Sequence, residues 1–184
     1  MAAIWFTVEG AAVTRLAKAA LALGALLAAA SPAAAVPVSA PTLPPARALL
    51  LIPLTLTKVQ DIHFGTIVPS TTTAGWVAIN AVTGARTGSA GLTLMPADVG
   101  QRGQFAGAGT PGQQVIMALT PPAELTNPAG DTLTVLAMTL DGPTTRTIAV
   151  NHSFFVGVGG TIFVEANQPE GLYSATYDLT ADYQ

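Results

Sequence analysis

Chemistry in this chain would have to start from two histidines, a scatter of carboxylates and one glycine-rich run. Asp61–x–His63 puts two side chains on one strand face, a spacing able to serve a metal. No further ligand cluster lies near them in sequence, so His63 reads as a surface histidine at a strand edge, and His152 stands alone. Thr87–Gly88–Ser89–Ala90–Gly91 departs from a nucleophile elbow at its first position and lacks the strand–turn–helix setting, so it reads as a flexible loop. Asp178 and Asp182 share a strand face, but strand rise sets them roughly 13 Å apart, wider than the carboxylate pairs of glycosidases. Gly157–Val158–Gly159–Gly160 has neither the third glycine nor the following helix of a phosphate cradle. Calcium loops are absent, and the lack of any cysteine excludes disulfides, thiol catalysis and thiolate-bound metals. Trp76 and Tyr173 are able to stack on sugars, although single aromatics in strands usually serve a core. The expectation is therefore a protein that is not an enzyme, with no catalytic residue, no metal site and no cofactor.

The elements that would position such residues are strands. From Ala46 onward there is no amphipathic helix of ten or more residues free of Gly and Pro, while short β-branched and aromatic runs alternate with turn residues. Strands are expected at 48–57, 61–68, 75–81, 90–95, 103–107, 113–120, 132–140, 146–156 with a break, 161–166 and 172–183. Within FFVGVGGTIFV, at 154–164, Gly159–Gly160 reads as the type I′ turn of a hairpin. The expected fold is all-β: an immunoglobulin-like or pilin-like antiparallel β-sandwich following a cleaved signal peptide, as one domain over 46–184.

Ahead of it, Arg15 and Lys18 precede the apolar run Ala19–Ala30, and Ala33–Ala34–Ala35 supplies a small-residue cleavage site, so residues 1–35 read as a secretory signal peptide. Cleavage after Ala35 is the first choice and after Ala40 the second. Residues 36–45, VPVSAPTLPP, read as an extended proline-rich tether. The whole chain of 184 residues is 50% hydrophobic, only 9% charged and has a net charge of -3. Seven scattered cations cannot neutralise a phosphate backbone, so nucleic acid is excluded as a partner. The apolar run is too short and Ala-rich for a stable membrane span. Removing residues 1–35 leaves 149 residues with 14 charges, so the scarcity of charge belongs to the folded part.

Two strands stand out. In ALLLIPLTLTK, Leu50, Ile52, Leu54 and Leu56 share one face, Leu49 and Leu51 load the other, and Pro53 removes a ladder donor, which suits a sheet edge. At the other end Tyr173, Ala175, Tyr177, Leu179, Ala181 and Tyr183 alternate with polar residues, the pattern of a long strand with one buried face.

The run Asp61–Ile62–His63–Phe64–Gly65–Thr66–Ile67 resembles the D-[LI]-x-F-G-x-[IV] opening of a family of secreted bacterial β-sandwich domains catalogued as of unknown function. Gly171, Tyr173 and Tyr183 resemble its closing G-x-Y…Y strand, and Gly159–Gly160–Thr161 its G-G-T hairpin. The C-terminus also resembles that of chaperone–usher fimbrial subunits, with Tyr183 penultimate and Gly171 fourteenth from the end. That resemblance implies a sandwich completed by an N-terminal strand of the next subunit, with 49–57 as donor strand and a periplasmic chaperone or usher as partner. Whether 49–57 pairs in cis or in trans stays open. The expected function is an exported structural or surface protein, in the periplasm, at the cell surface or outside the cell, that self-associates by strand exchange. Its interface would comprise Leu50, Ile52, Leu54, Leu56, Gly171, Tyr173, Tyr177 and Tyr183. The alternative is a monomeric secreted binding module, for carbohydrate through Trp76, with Leu49–Thr57 as its own first strand.

Overall fold

The computed structural model describes Thr42 and residues 45–184. The expected signal peptide, 1–35, and nearly all of the tether, 36–45, lie outside the described residues. The folded unit is Leu49–Gln184. It holds twelve strands: β1 (Thr55–Gln60), β2 (Ile67–Val68), β3 (Gly75–Ile79), β4 (Arg86–Gly88), β5 (Thr93–Leu94), β6 (Gly103–Ala108), β7 (Gln114–Thr120), β8 (Glu124–Thr126), β9 (Thr132–Leu140), β10 (Thr145–Thr147), β11 (Ser153–Val164) and β12 (Asp178–Tyr183). Every ladder is antiparallel, and no helix occurs among the described residues. The fold is an all-β sandwich.

One layer is a seven-stranded sheet built on β11. Val158 pairs with Gly103 of β6 and with Leu140 of β9, so these two strands occupy opposite edges of β11. Thr161 likewise pairs with Ala78 of β3 and Ala137 of β9. Hence β6 and then β3 follow one edge while β9 follows the other. Strand β1 adds beyond β6, β4 beyond β3, and β8 beyond β9. The opposing layer is two smaller sheets, β10-β7-β12 and β2-β5.

Strand alternation sends Phe154, Val156, Ile162 and Val164 of β11 inward, and they enter two separate cores. Phe154 and Val156 pack with Val115, Met117 and Ile148 beneath β7 and β12. Ile162 and Val164 pack with Val77 and Leu133, flanked by Phe64, Leu94 and Tyr173. A single long strand thus spans both halves of the sandwich.

The expected hairpin at 154–164 is corrected by this strand: Gly159 and Gly160 lie inside β11, not in a turn. A Cβ on Gly159 would collide with the Ile79 carbonyl and the Ala81 amide, and one on Gly157 with the Ala81 carbonyl. The glycines let the chain leaving β3 cross the back of β11, a close backbone approach that only glycine permits. The break expected in 146–156 falls at residues 148–152, where His152 turns with φ 65°. Two terminal expectations also shorten. Regular pairing starts at Thr55, after Pro53, where 48–57 was expected, and at Asp178 where 172–183 was expected. Two short strands that were not expected, β4 and β8, are also present; the segment read as a flexible loop contributes Thr87 and Gly88 to β4.

Candidate functional site

One arginine fixes the segment around which the candidate site is built. Arg86 donates to the carbonyls of Phe64, Thr66 and Met95, the last at 2.6 Å. Gly65, at φ 75°, lies against that guanidinium, where a side chain would collide. Residues 63–66 are thereby held with Phe64 turned into the core and His63 turned out. His63 Nδ1 stands 3.5 Å from the Asp98 carboxylate, which also accepts from Thr66 Oγ1 at 2.8 Å. The Thr66 hydrogen bond holds Asp98 below its ordinary pKa, against some desolvation, and His63, the Gly100 amide and Arg86 act in the same direction. Asp61 instead pairs with Lys58 at 2.6 Å on the surface, so Asp61 and His63 do not converge. Among the described residues no three His, Asp or Glu side chains gather as a metal-holding group. Ser89 is a strand-edge acceptor: its Oγ takes the Trp76 amide at 2.9 Å.

The segment held by Arg86 forms one wall of a cleft of about 660 Å³. Residues 62–69 make this wall, and 168–175 with Tyr177 make the other. Leu125, Leu133, Val135, Ile162 and Val164 form an apolar floor contributed by β8, β9 and β11. The volume lies within the ~300–1,000 Å³ usual for binding clefts. Among the described residues, the backbone of Leu172–Tyr177 makes only the two 3.0 Å hydrogen bonds exchanged between Ser174 and Thr126. One wall of an apolar cleft is therefore a chain edge with unused amides and carbonyls, the kind of edge that accepts an added strand.

Of the closing residues, Gly171, Tyr173 and Tyr177 line this cleft. Gly171 abuts Asn127, with no room for a Cβ. The Tyr173 hydroxyl donates to the Pro169 carbonyl at 2.7 Å and accepts from Gln168 at 3.0 Å. Tyr177 stacks edge-on against Phe105, with centroids 6.1 Å apart, and its hydroxyl is buried against Gly103 with no partner among the described residues. Burial pushes its pKa above the ordinary 10.0, and the charge of Asp61 adds to the shift.

Tyr183 lies elsewhere, packed with Leu54 and Leu56 against the first core. Its hydroxyl donates to the Ile52 carbonyl at 2.7 Å and accepts from the Thr110 amide at 2.8 Å. Thr110 Oγ1 in turn accepts from the Ile52 amide at 2.7 Å. The first segment is thus divided. Thr55–Lys58 pairs in cis with β6, and Leu54 and Leu56 are half-buried, whereas Leu49, Leu50 and Ile52 are 75%, 87% and 48% exposed. Leu50 and Ile52 therefore do not share the buried face of Leu54 and Leu56. Sequence reasoning missed Arg86, Arg102 and Arg146. Each binds backbone carbonyls of other segments, Arg86 and Arg102 about twenty residues back and Arg146 in β11, and no local pattern announces that role.

Residues 54–183 match the model of a domain of unknown function, DUF4402. The chain belongs to this family. No curated protein and no solved structure matches the chain. Membership spans β1 through β12, so the cleft, Thr110 and Tyr183 lie inside the family domain, while Ile52, the third partner of the clamp, lies just ahead of it.

Proposed function

We propose that this DUF4402 protein is an exported, non-enzymatic structural subunit of the cell surface that assembles by strand exchange, in the manner of fimbrial subunits. Residues 1–35 act as its export signal. The observation that carries the reading is the coexistence, in one unit, of a cleft with an unpaired backbone edge and an apolar segment whose Leu49, Leu50 and Ile52 are left exposed. The Leu50 and Ile52 side chains of one copy enter the cleft of the next, and the edge at Leu172–Tyr177 takes up the backbone ahead of Ile52, whose own amide and carbonyl are held by Thr110 and Tyr183. Burying two such side chains contributes about 1.5–3 kcal/mol each, enough with the added ladder to hold neighbours together. Until a neighbour arrives, a periplasmic chaperone or usher covers the open cleft. A folded part with few charges also suits close packing of copies, because little repulsion opposes it.

The test is the oligomeric state of the full chain by size-exclusion chromatography with light scattering. The wild type forms concentration-dependent oligomers, and the double variant Leu50→Asp, Ile52→Asp runs as a monomer with unchanged circular dichroism. A wild type that remains monomeric at every concentration, or a double variant that assembles equally well, contradicts the proposal.

A further inference from the structure

The outer face of the seven-stranded sheet carries a second feature, independent of the cleft. Register places Glu124 opposite Thr134, Thr134 opposite Phe163, and Phe163 opposite Trp76, so these four residues form one transverse row across β8, β9, β11 and β3. The row points away from the core, because its strand neighbours Leu125, Leu133, Ile162 and Val77 point into the core. Trp76 is 40% exposed, and Phe163 is half-buried beside it. The next row, Ala137, Thr161, Ala78 and Thr87, is made of small side chains, with the exposed Leu136 standing between the two rows at the β9 bulge, so the aromatic pair borders a floor that is low on β11, β3 and β4 and edged with hydroxyls.

We infer that this face is a binding platform for a neutral glycan chain. Aromatic faces next to one another offer an apolar surface to the C–H face of a sugar ring, while Thr134, Thr161, Thr87 and Glu124 offer hydrogen-bonding groups to its hydroxyls. The two rows hold no Lys or Arg, and their single ionisable group is a carboxylate, so the electrostatics oppose acidic glycans and anionic membrane surfaces. Three strand spacings make the row about 14 Å long, which suits an extended chain rather than a lone ring or a small cation needing a closed cage. Tyr173, the other aromatic able to stack on sugars, is not part of the platform. It lies in the cleft wall with its hydroxyl bound to Pro169.

The test uses the full chain carrying Leu50→Asp and Ile52→Asp, so that binding is read on single copies whether or not the subunits exchange strands. Native electrophoresis is run in gels containing neutral glucan, xylan, mannan or galactan, with alginate as the acidic control. Retardation in at least one neutral gel and none in alginate is expected, with affinity reduced at least tenfold by Trp76→Ala and partly restored by Trp76→Phe. Adding Trp5→Phe leaves Trp76 as the single indole, whose emission shifts to the blue when the retarding glycan is added. Absence of retardation in every neutral gel, or equal retardation of wild type and Trp76→Ala, overturns the inference.

Discussion

Tyr183 reaches back 131 residues to donate its hydroxyl hydrogen to the carbonyl of Ile52, 2.7 Å away. The penultimate residue of the chain thereby anchors the segment that leads into β1. The same oxygen accepts from Thr110, so one phenol ties together the chain end, the first segment and the loop after β6. Before Ile52 in the folded unit, Leu49 and Leu50 are apolar and exposed and Leu51 is half-buried, whereas β1, from Thr55, is paired in cis with β6. The clamp marks the boundary between the part of the first segment that belongs to its own sandwich and the part offered to a neighbour.

Tyr183→Phe keeps the ring in the core but leaves the Ile52 carbonyl and the Thr110 amide without their partner. The expected loss is about 1–3 kcal/mol in denaturant unfolding, with faster amide exchange at Thr110. Unchanged stability and exchange would show that the clamp holds nothing.

Gly159→Asn separates a turn from a crossing. In a type I′ turn Asn is favoured, whereas inside β11 its Cβ meets the backbone of Ile79 and Ala81. Thermal unfolding is expected to show a loss exceeding about 2 kcal/mol, in line with overpacking against a backbone that cannot yield. A neutral substitution would restore the hairpin.

The crossing also shows how far the sequence was legible. Hydrophobic alternation located β3, β6, β7 and β9 to within about two residues, because each has one face in a core. Gly159 and Gly160 misled because glycine serves positive φ and close backbone approach alike, and only the path of a segment 80 residues away, at Ile79–Ala81, tells which. Alternation over 172–183 correctly identified side-chain faces in β12 but not which backbone groups find partners. The cleft joins residues 62–69 with 168–177 over a floor drawn from three strands, a juxtaposition that local pattern does not encode.

Tyr177 predicts a pH dependence. Its pKa is raised in the folded state, so the protonated form is favoured there and the stabilisation is complete below the unfolded value near 10. As pH climbs through the raised folded value that contribution is lost. Tyr177→Phe removes this alkaline fall and, by deleting an unpartnered buried hydroxyl, raises stability at neutral pH by about 1 kcal/mol. Urea titrations between pH 7 and 11 check both effects. A steeper alkaline fall in the variant would contradict the assignment.

Arg146 predicts a large local effect from a single cation. Its guanidinium meets Asp141 at 2.5 Å and donates to the Phe155 carbonyl at 2.7 Å, with both charged side chains mostly buried. Arg146→Ala strands the Asp141 carboxylate and is expected to cost about 2–4 kcal/mol. Arg146→Ala, Asp141→Asn recovers part of that loss in the same unfolding assay. No recovery would mean that the Phe155 carbonyl, rather than the ion pair, dominates.

Occupation of one copy's cleft by the exposed first segment of another is directly readable, because the chain has no native cysteine. One full-length variant carries Leu50→Cys and a size tag, and a second carries Leu172→Cys on the exposed cleft wall. When the two are mixed and mildly oxidised, a mixed disulfide dimer is expected. No such enrichment is expected when Leu172→Cys is replaced by Val150→Cys, a still more exposed position outside the cleft lining. Equal cross-linking to both partners, or none to Leu172→Cys, would contradict strand exchange through this cleft.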